Sequence, residues 1–289
     1  MRAYSDLASE RRRADTAIPG VTLEKEEHGA IQTERLSVAS EEGAKEMEVP
    51  CGIYLTTSFP PPWELTGTEE EALILVIEKQ LGELVGNAAK KGVLVLGLGN
   101  RHMTADAVGC LAADGVHATH HLKMCEGELF ESLDCRAISV FCPGVLAQTG
   151  MEVATLARAA VEAVRPGVVV AIDALAARSK ERLMRTVQIC NTGITPGSGI
   201  GNRRKAISES TLGVPVVAVG VPTVADASVI VRDAFEEGGI GEIPPAMEAA
   251  LGRRGRYFVS PKDCDAGVEI LSRVLSGAIN RAFGISLHN

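Results

Sequence analysis

The chain has 289 residues, 46% hydrophobic and 23% charged, with 37 acidic against 29 basic side chains and a formal net charge of −8 at pH 7. That is enough apolar chain for one large core or two small ones, and the acidic balance argues against bulk binding to nucleic acid, the longest unbroken basic runs being 11–13 and 203–205. Aromatic residues make up 3%, too sparse for a stacking platform; no apolar run approaches the ~20 residues that span a bilayer, and the polar, Arg-rich N-terminus lacks the apolar stretch of a secretory signal, so a cytoplasmic protein without membrane contact is expected.

The first sixty residues alternate acidic and Thr positions over 21–38 and then present a strand-like Gly52-Ile53-Tyr54-Leu55-Thr56-Thr57. This predicts antiparallel strands at the edge of a sheet, set off by a turn at Pro60-Pro61-Pro62. Residues 69–90 carry Leu73, Ile77, Leu81 and Leu84 at helical spacing. A strand follows at Val93–Gly97, a polar turn at 98–103, and the start of a helix at 104–109, which puts Asp106 just past a strand's C-terminal end.

A second strand is expected at 137–142, a helix at 148–164, and a third strand at 168–173 that ends on Asp173 and gives way to a helix-forming, Ala-rich turn. A fourth strand at 214–221 and a C-terminal helix at 264–283 complete the pattern. Short, fully apolar strands alternating with helices indicate an α/β fold with a mainly parallel, twisted sheet covered on both faces, plus a β-rich N-terminal edge.

Asp106 and Asp173 are the candidate chemical pair. In an open sheet, ligands gather at the C-terminal ends of the strands. Two carboxylates meeting there suit general acid and base hydrolysis of an amide, one activating water while its protonated partner supports the oxyanion or the leaving amine. The alternative is that each aspartate only caps the helix that follows it.

Other motifs fall short of their chemistry. Leu96-Gly97-Leu98-Gly99-Asn100 follows a strand, yet the third glycine of a dinucleotide fingerprint would fall on His102, so no nucleotide cofactor is expected. The Gly-rich stretch 193–205 lacks a P-loop ending; it reads as a flexible loop or as a surface of backbone donors beside the carboxylates. His117, His120 and His121 form the only histidine cluster, but the HExxH glutamate is absent and a third ligand is not evident. No serine sits in a GxSxG elbow, and the seven cysteines have no CxxC spacing, so they read as reduced thiols rather than nucleophiles or zinc ligands.

Five segments carry a resemblance: Val168 to Ser179 (VVVAIDALAARS), Asn191 to Asn202 (NTGITPGSGIGN), Val219 to Ala227 (VGVPTVADA), Pro143 to Glu152 (PGVLAQTGME) and Gly97 to Gly109 (GLGNRHMTADAVG). Taken in order, they resemble the germination proteases of spore-forming bacteria. The resemblance implies a fold similar to hydrogenase-maturation endopeptidases. It also implies an endopeptidase of atypical aspartic type, homotetrameric and made as a self-processing zymogen in the forespore, that starts the breakdown of small acid-soluble spore proteins during germination.

The family's essential aspartates fall on Asp106 and Asp173, with no cofactor. Its preference for cutting after Glu or Asp, before a hydrophobic residue and then Ala, is matched in cis by Asp6-Leu7-Ala8. Processing between Asp6 and Leu7 is therefore expected, giving a propeptide 1–6 and a single peptidase domain 7–289, with 7–62 as edge region and 63–289 as α/β core. A disordered, exposed terminus would favour that cut, although Ser5 and Asp6 also suit a helix cap.

Backbone N–H groups of Gly197, Gly199 and Gly201 are assigned to the oxyanion. A metal held by the two aspartates with His121 is one alternative, and a non-catalytic binder of spore proteins is another. Arg101, Ala105 and Cys110 depart from the family's usual Trp and Pro residues around the first aspartate.

Overall fold

A computed structural model of the protein describes residues 5–11, 17–197, 204–239, 244–247, 250 and 257–284. Its strands are β1 (Val21–His28), β2 (Ile31–Val38), β3 (Gly52–Ser58), β4 (Val93–Gly97), β5 (Ile138–Phe141), β6 (Val168–Ala177), β7 (Thr186–Cys190), β8 (Val216–Asp226) and β9 (Phe258–Val259). They form one nine-stranded sheet in the order β1-β2-β3-β7-β8-β6-β4-β5, with β9 added to β8.

The sheet is mixed rather than mainly parallel. Only β4 with β5, β4 with β6 and β6 with β8 run parallel. The pairs β1–β2, β2–β3, β3–β7, β7–β8 and β8–β9 are antiparallel. The reversal comes from β7, a five-residue strand (TVQIC) that pairs with β3 on one side and β8 on the other, and so makes the N-terminal edge continuous with the core.

The helices are α1 (Glu41–Met47), α2 (Gly67–Val85), α3 (Val108–Asp114), α4 (His120–Cys125), α5 (Gly127–Ser132), α6 (Leu146–Thr149) and α7 (Val153–Val164), followed by Glu209–Leu212, Ala227–Glu237 and the C-terminal helix Cys264–Phe283. α2 begins in a capping box: Thr66 Oγ1 accepts from the Glu69 N–H, and Glu69 accepts from the Thr66 N–H at 2.9 Å. Its buried stripe is Leu73, Ile77, Leu81 and Val85, with Leu84 half-buried at its flank.

Two apolar layers cover the sheet. Val93, Val95, Val168, Val170 and Ile172 face α2, α3 and the C-terminal helix, while the alternate residues Leu94, Leu96, Val169 and Ala171 face α7. This is why β4 and β6 read as unbroken apolar runs. Each fully buried Val, Leu or Ile side chain among them contributes about 1.5–3 kcal/mol.

Because α3 and α7 lie on opposite faces, the chain leaves β4 over one face and leaves β5 over the other. The loops after β4 and β5 therefore diverge at the C-terminal edge and open a crevice. β4 ends at Gly97, opposite Ile172, whereas β6 runs on to Ala177 paired only to β8 through Asp173↔Gly220 and beyond. Asp173 is thus the first residue of β6 with an edge free of β4, and the Ala-rich segment after it is strand, not helix.

Candidate active site

Asp106 and Asp173 line one cavity at this edge, together with Gly99, Gly197, Arg204 and Thr223. Asp173 is buried at 4% exposure, and its Oδ1 accepts the N–H of Ala174 at 3.0 Å. Burial pushes its carboxyl well above the usual range, and the charge of Asp106 pushes it further, against the Ala174 N–H and Arg204. Asp106 is half-buried; burial raises it too, while the Asn100 N–H on its Oδ2 (2.9 Å) and Arg204 oppose the rise. Both carboxyls are pushed up, Asp173 further than Asp106. Neither aspartate is a helix cap: Asp106 lies in a 3₁₀ turn, Thr104–Asp106, whereas α3 starts from Ala107 without a side-chain cap.

The turn that carries Asp106 is fixed by backbone and by small residues. Asn100 N–H also meets the Asp106 carbonyl at 3.0 Å. Gly99 has φ +96, and a Cβ on it would lie 2.1 Å from that same carbonyl oxygen. A Cβ on Gly109 would lie 2.3 Å from the Ile172 carbonyl, so α3 can approach β6 only with glycine there. Gly97 is equally crowded, 2.6 Å from Ala113 Cβ and from the Gly109 carbonyl. The glycines that resemble half a dinucleotide fingerprint therefore serve close packing.

Thr223, fully buried on β8, donates from Oγ1 to the Ala105 carbonyl at 2.5 Å and so ties β8 to the residue before Asp106. Thr223→Val keeps the shape and removes the bond. The expected result is a stability loss of about 1–3 kcal/mol and a lower kcat with KM little changed, measured by denaturant melts and peptide kinetics; unchanged kcat would remove Thr223 from the positioning of Asp106.

The Gly-rich loop is held at its base by the antiparallel bridge Ile194↔Ile207, with N–H to O distances of 2.9 and 2.7 Å. Gly197 on one side of that bridge and Arg204 on the other both line the cavity; Gly199 and Gly201 lie outside the described residues. Arg204 is the residue that sequence reasoning missed as part of the site. Its signal was the basic end of the Gly-rich stretch.

Asp6 lines the same cavity. Its N–H donates to the Ala176 carbonyl at 2.9 Å and its carboxylate accepts the Ala176 N–H at 2.8 Å, so it sits on the free edge of β6. Leu7 is fully buried against Leu175, Ala177, Leu183, Ala225 and Val229, and the Ala8 N–H donates to Gln188 at 2.7 Å. Glu10 anchors the segment by accepting the N–H groups of Arg178 and Ser179 at 2.7 and 3.0 Å. Residues 5–11 are therefore docked in a built groove, contrary to the expected disordered terminus, and a short 3₁₀ turn (Ala8–Arg11) follows Leu7. A second cavity, lined by Tyr54, Gln188 and Thr192, shares Asp6, Leu175 and Thr195 with the first and extends the cleft.

His121 is exposed on α4 and does not line either cavity, so the structure does not bring it to the aspartates. Among the described residues no group of three or more His, Cys, Asp or Glu could hold a metal ion. No described helix is long and apolar enough to cross a membrane.

The germination protease family model matches residues 3–237 of the chain. The germination protease of Caldanaerobacter subterraneus subsp. tengcongensis is 42% identical over 234 residues, covering 80% of this chain and 72% of that protein. That of Clostridium perfringens (strain 13) is 35% identical over 306 aligned residues, 96% and 94% of the two chains. That of Bacillus subtilis is 37% identical over 243 residues, 80% and 66%.

Proposed function

The chain belongs to the germination protease family and is a peptidase, and on that premise we propose that it hydrolyses peptide bonds with Asp106 as general base and Asp173 as the protonated partner. The observation that carries this reading is the unequal surroundings of two carboxyls in one cavity, one buried and pushed well above its ordinary value, the other held closer to it by a backbone N–H and Arg204. Divergent environments of this kind separate an acid from a base.

In the reaction, Asp106 takes a proton from a water as its oxygen bonds to the scissile carbonyl carbon. The developing oxyanion is met by the Asp173 O–H and by the backbone N–H of Gly197, with Gly199 and Gly201 of the same loop assigned to that task. When the C–N bond breaks, the proton on Asp106 passes to the leaving amine. Preorganised donors of this type supply the largest part of the barrier reduction in many hydrolases.

The substrate reading follows from the docked N-terminal segment. Asp6-Leu7-Ala8 puts a carboxylate on the Ala176 N–H, an aliphatic side chain in an apolar pocket and an N–H on Gln188, with Asp6 itself lining the cavity of the two aspartates. This supports cleavage after Glu or Asp and before a hydrophobic residue, in small acid-soluble spore proteins and in the chain itself after Asp6, so that a zymogen loses a propeptide 1–6 to leave one peptidase domain, 7–289. A homotetramer in the cytoplasm of the forespore, with a fold like that of hydrogenase-maturation endopeptidases, completes the reading.

The test is intact-mass analysis of wild type, Asp106→Asn and Asp173→Asn incubated with a peptide carrying Glu-Ile-Ala, with and without a chelator. Wild type alone should release a fragment ending in Glu and gain a new N-terminus at Leu7, with chelation making no difference. Equal cleavage by both variants would sink the carboxylate mechanism, and inhibition by chelator would restore the metal alternative.

A further inference from the structure

Cys110 and Cys142 take no part in the chemistry above. Cys110 is buried in the first turn of α3, its Sγ 3.5, 3.6 and 3.8 Å from the carbonyl oxygens of Gly99, Leu98 and Gly97. Cys142 directly follows β5 and is half-buried, with its Sγ 4.0 Å from the Cys110 carbonyl oxygen. Both sulfurs crowd the same residue: a Cβ on Gly97 would lie 2.9 Å from Cys142 Sγ. α3 packs on β5 here, and the packing brings the two thiols together beside Gly97 and the Cys110 backbone.

That contact makes the pair unequal. It holds the Cys110 thiol protonated, with burial adding to the effect. It brings Cys142 down to about 7, helped by Arg101 and a backbone contact to Gly97 and opposed by burial and Asp114. The other buried thiols, Cys135, Cys190 and Cys264, are all raised, by burial first. The attacking species in thiol oxidation is the thiolate, and a reactive one is found where a neighbour stabilises it and solvent reaches it.

We propose that Cys110 and Cys142 form an oxidation site for small hydroperoxides, in which Cys142 is the attacking sulfur and Cys110 the resolving one, closing to a disulfide that clamps the start of α3 to the end of β5. The thiolate of Cys142 attacks one peroxide oxygen, the O–O bond breaks, and the alkoxide or hydroxide released takes a proton; sulfur is oxidised by two electrons to sulfenic acid. Cys110 Sγ then attacks Cys142 Sγ, the S–O bond breaks, and hydroxide leaves with the Cys110 proton as water. The balance is two thiols and one hydroperoxide giving a disulfide, an alcohol or water, and water. The crosslink would tether the start of α3, just after the turn that carries Asp106, to the end of β5.

The whole chain is treated with a few equivalents of hydrogen peroxide, its remaining thiols are alkylated, and it is analysed by intact mass and by a digest run without reductant. Wild type should carry two alkyl groups fewer than an untreated control alkylated in the same way, yield a Cys110–Cys142 crosslinked peptide and recover both thiols on reduction. Cys142→Ser should leave Cys110 alkylatable, and Cys110→Ser should accumulate a sulfenic acid at Cys142 that a dimedone probe captures. Alkylation of both cysteines in peroxide-treated wild type, or oxidation confined to the exposed Cys51 and Cys125, would overturn the proposal. The readout is covalent mass, so it stands whether or not the peptidase mechanism does.

Discussion

Asp173→Asn should lower kcat by about 10²–10⁴-fold, the span that a positioned acid or base contributes, while making the folded protein more stable at neutral pH. The two effects have one origin. Asp173 is buried with its carboxyl pushed well above the ordinary value, first by desolvation and then by Asp106. Above the unfolded value of about 3.9, the native state holds a proton that the unfolded chain has released. The carboxyl's contribution to stability is therefore present in full below that pH and is lost as pH rises through the native value. Asparagine carries no such proton, and its amide oxygen can still accept the Ala174 N–H. The melting temperature of the variant relative to wild type should thus rise between pH 4 and pH 8. A constant offset across that range would mean Asp173 ionises normally, and full activity in the variant would remove it from the chemistry.

The pair was legible in the sequence because each aspartate interrupts a segment whose other residues have a plain structural purpose: an apolar strand around Asp173, a glycine-lined turn around Asp106. β4 and the C-terminal helix were legible in full, Val93–Gly97 and Cys264–Phe283, the first as an unbroken buried run and the second by the helical spacing of its buried residues. β6 was read four residues short. Ala174-Leu175-Ala176-Ala177 has helical propensity, and pairing to β8 overrides it. β7 was not read at all, because five residues with one Gln carry too little signal, and with β7 went the antiparallel half of the core.

The roles of the glycines and of Arg204 depend on distant contacts. Gly99 faces a carbonyl seven residues on, and Arg204 reaches the cavity only because Ile194 and Ile207 bridge. Nothing in local spacing encodes either. The docking of Leu7 is of the same kind: its pocket is assembled from Leu175, Ala177, Leu183, Ala225 and Val229, which come from distant parts of the chain.

Gly99→Ala should cost both stability and rate. At φ +96 an L side chain is strained, at a cost of about 1–3 kcal/mol. The added carbon would also stand 2.1 Å from the Asp106 carbonyl oxygen, a backbone atom that cannot rotate away. Relief requires the turn to move as a unit, and with it the Asn100 N–H that meets both the carbonyl and the carboxylate of Asp106. A displacement of ~1 Å at a reacting group costs roughly 10²-fold in rate, so activity should fall by about that factor even where the variant is still folded.

Gly150→Ala is the control: it has φ +68, but a Cβ there meets nothing within 4 Å, so it should pay strain alone and keep its kcat. Melting curves would give the stability cost of each variant and peptide kinetics would give the rate. If Gly99→Ala loses stability to the same extent as Gly150→Ala and loses no rate, the close approach of Gly99 to Asp106 does not set the position of the carboxylate.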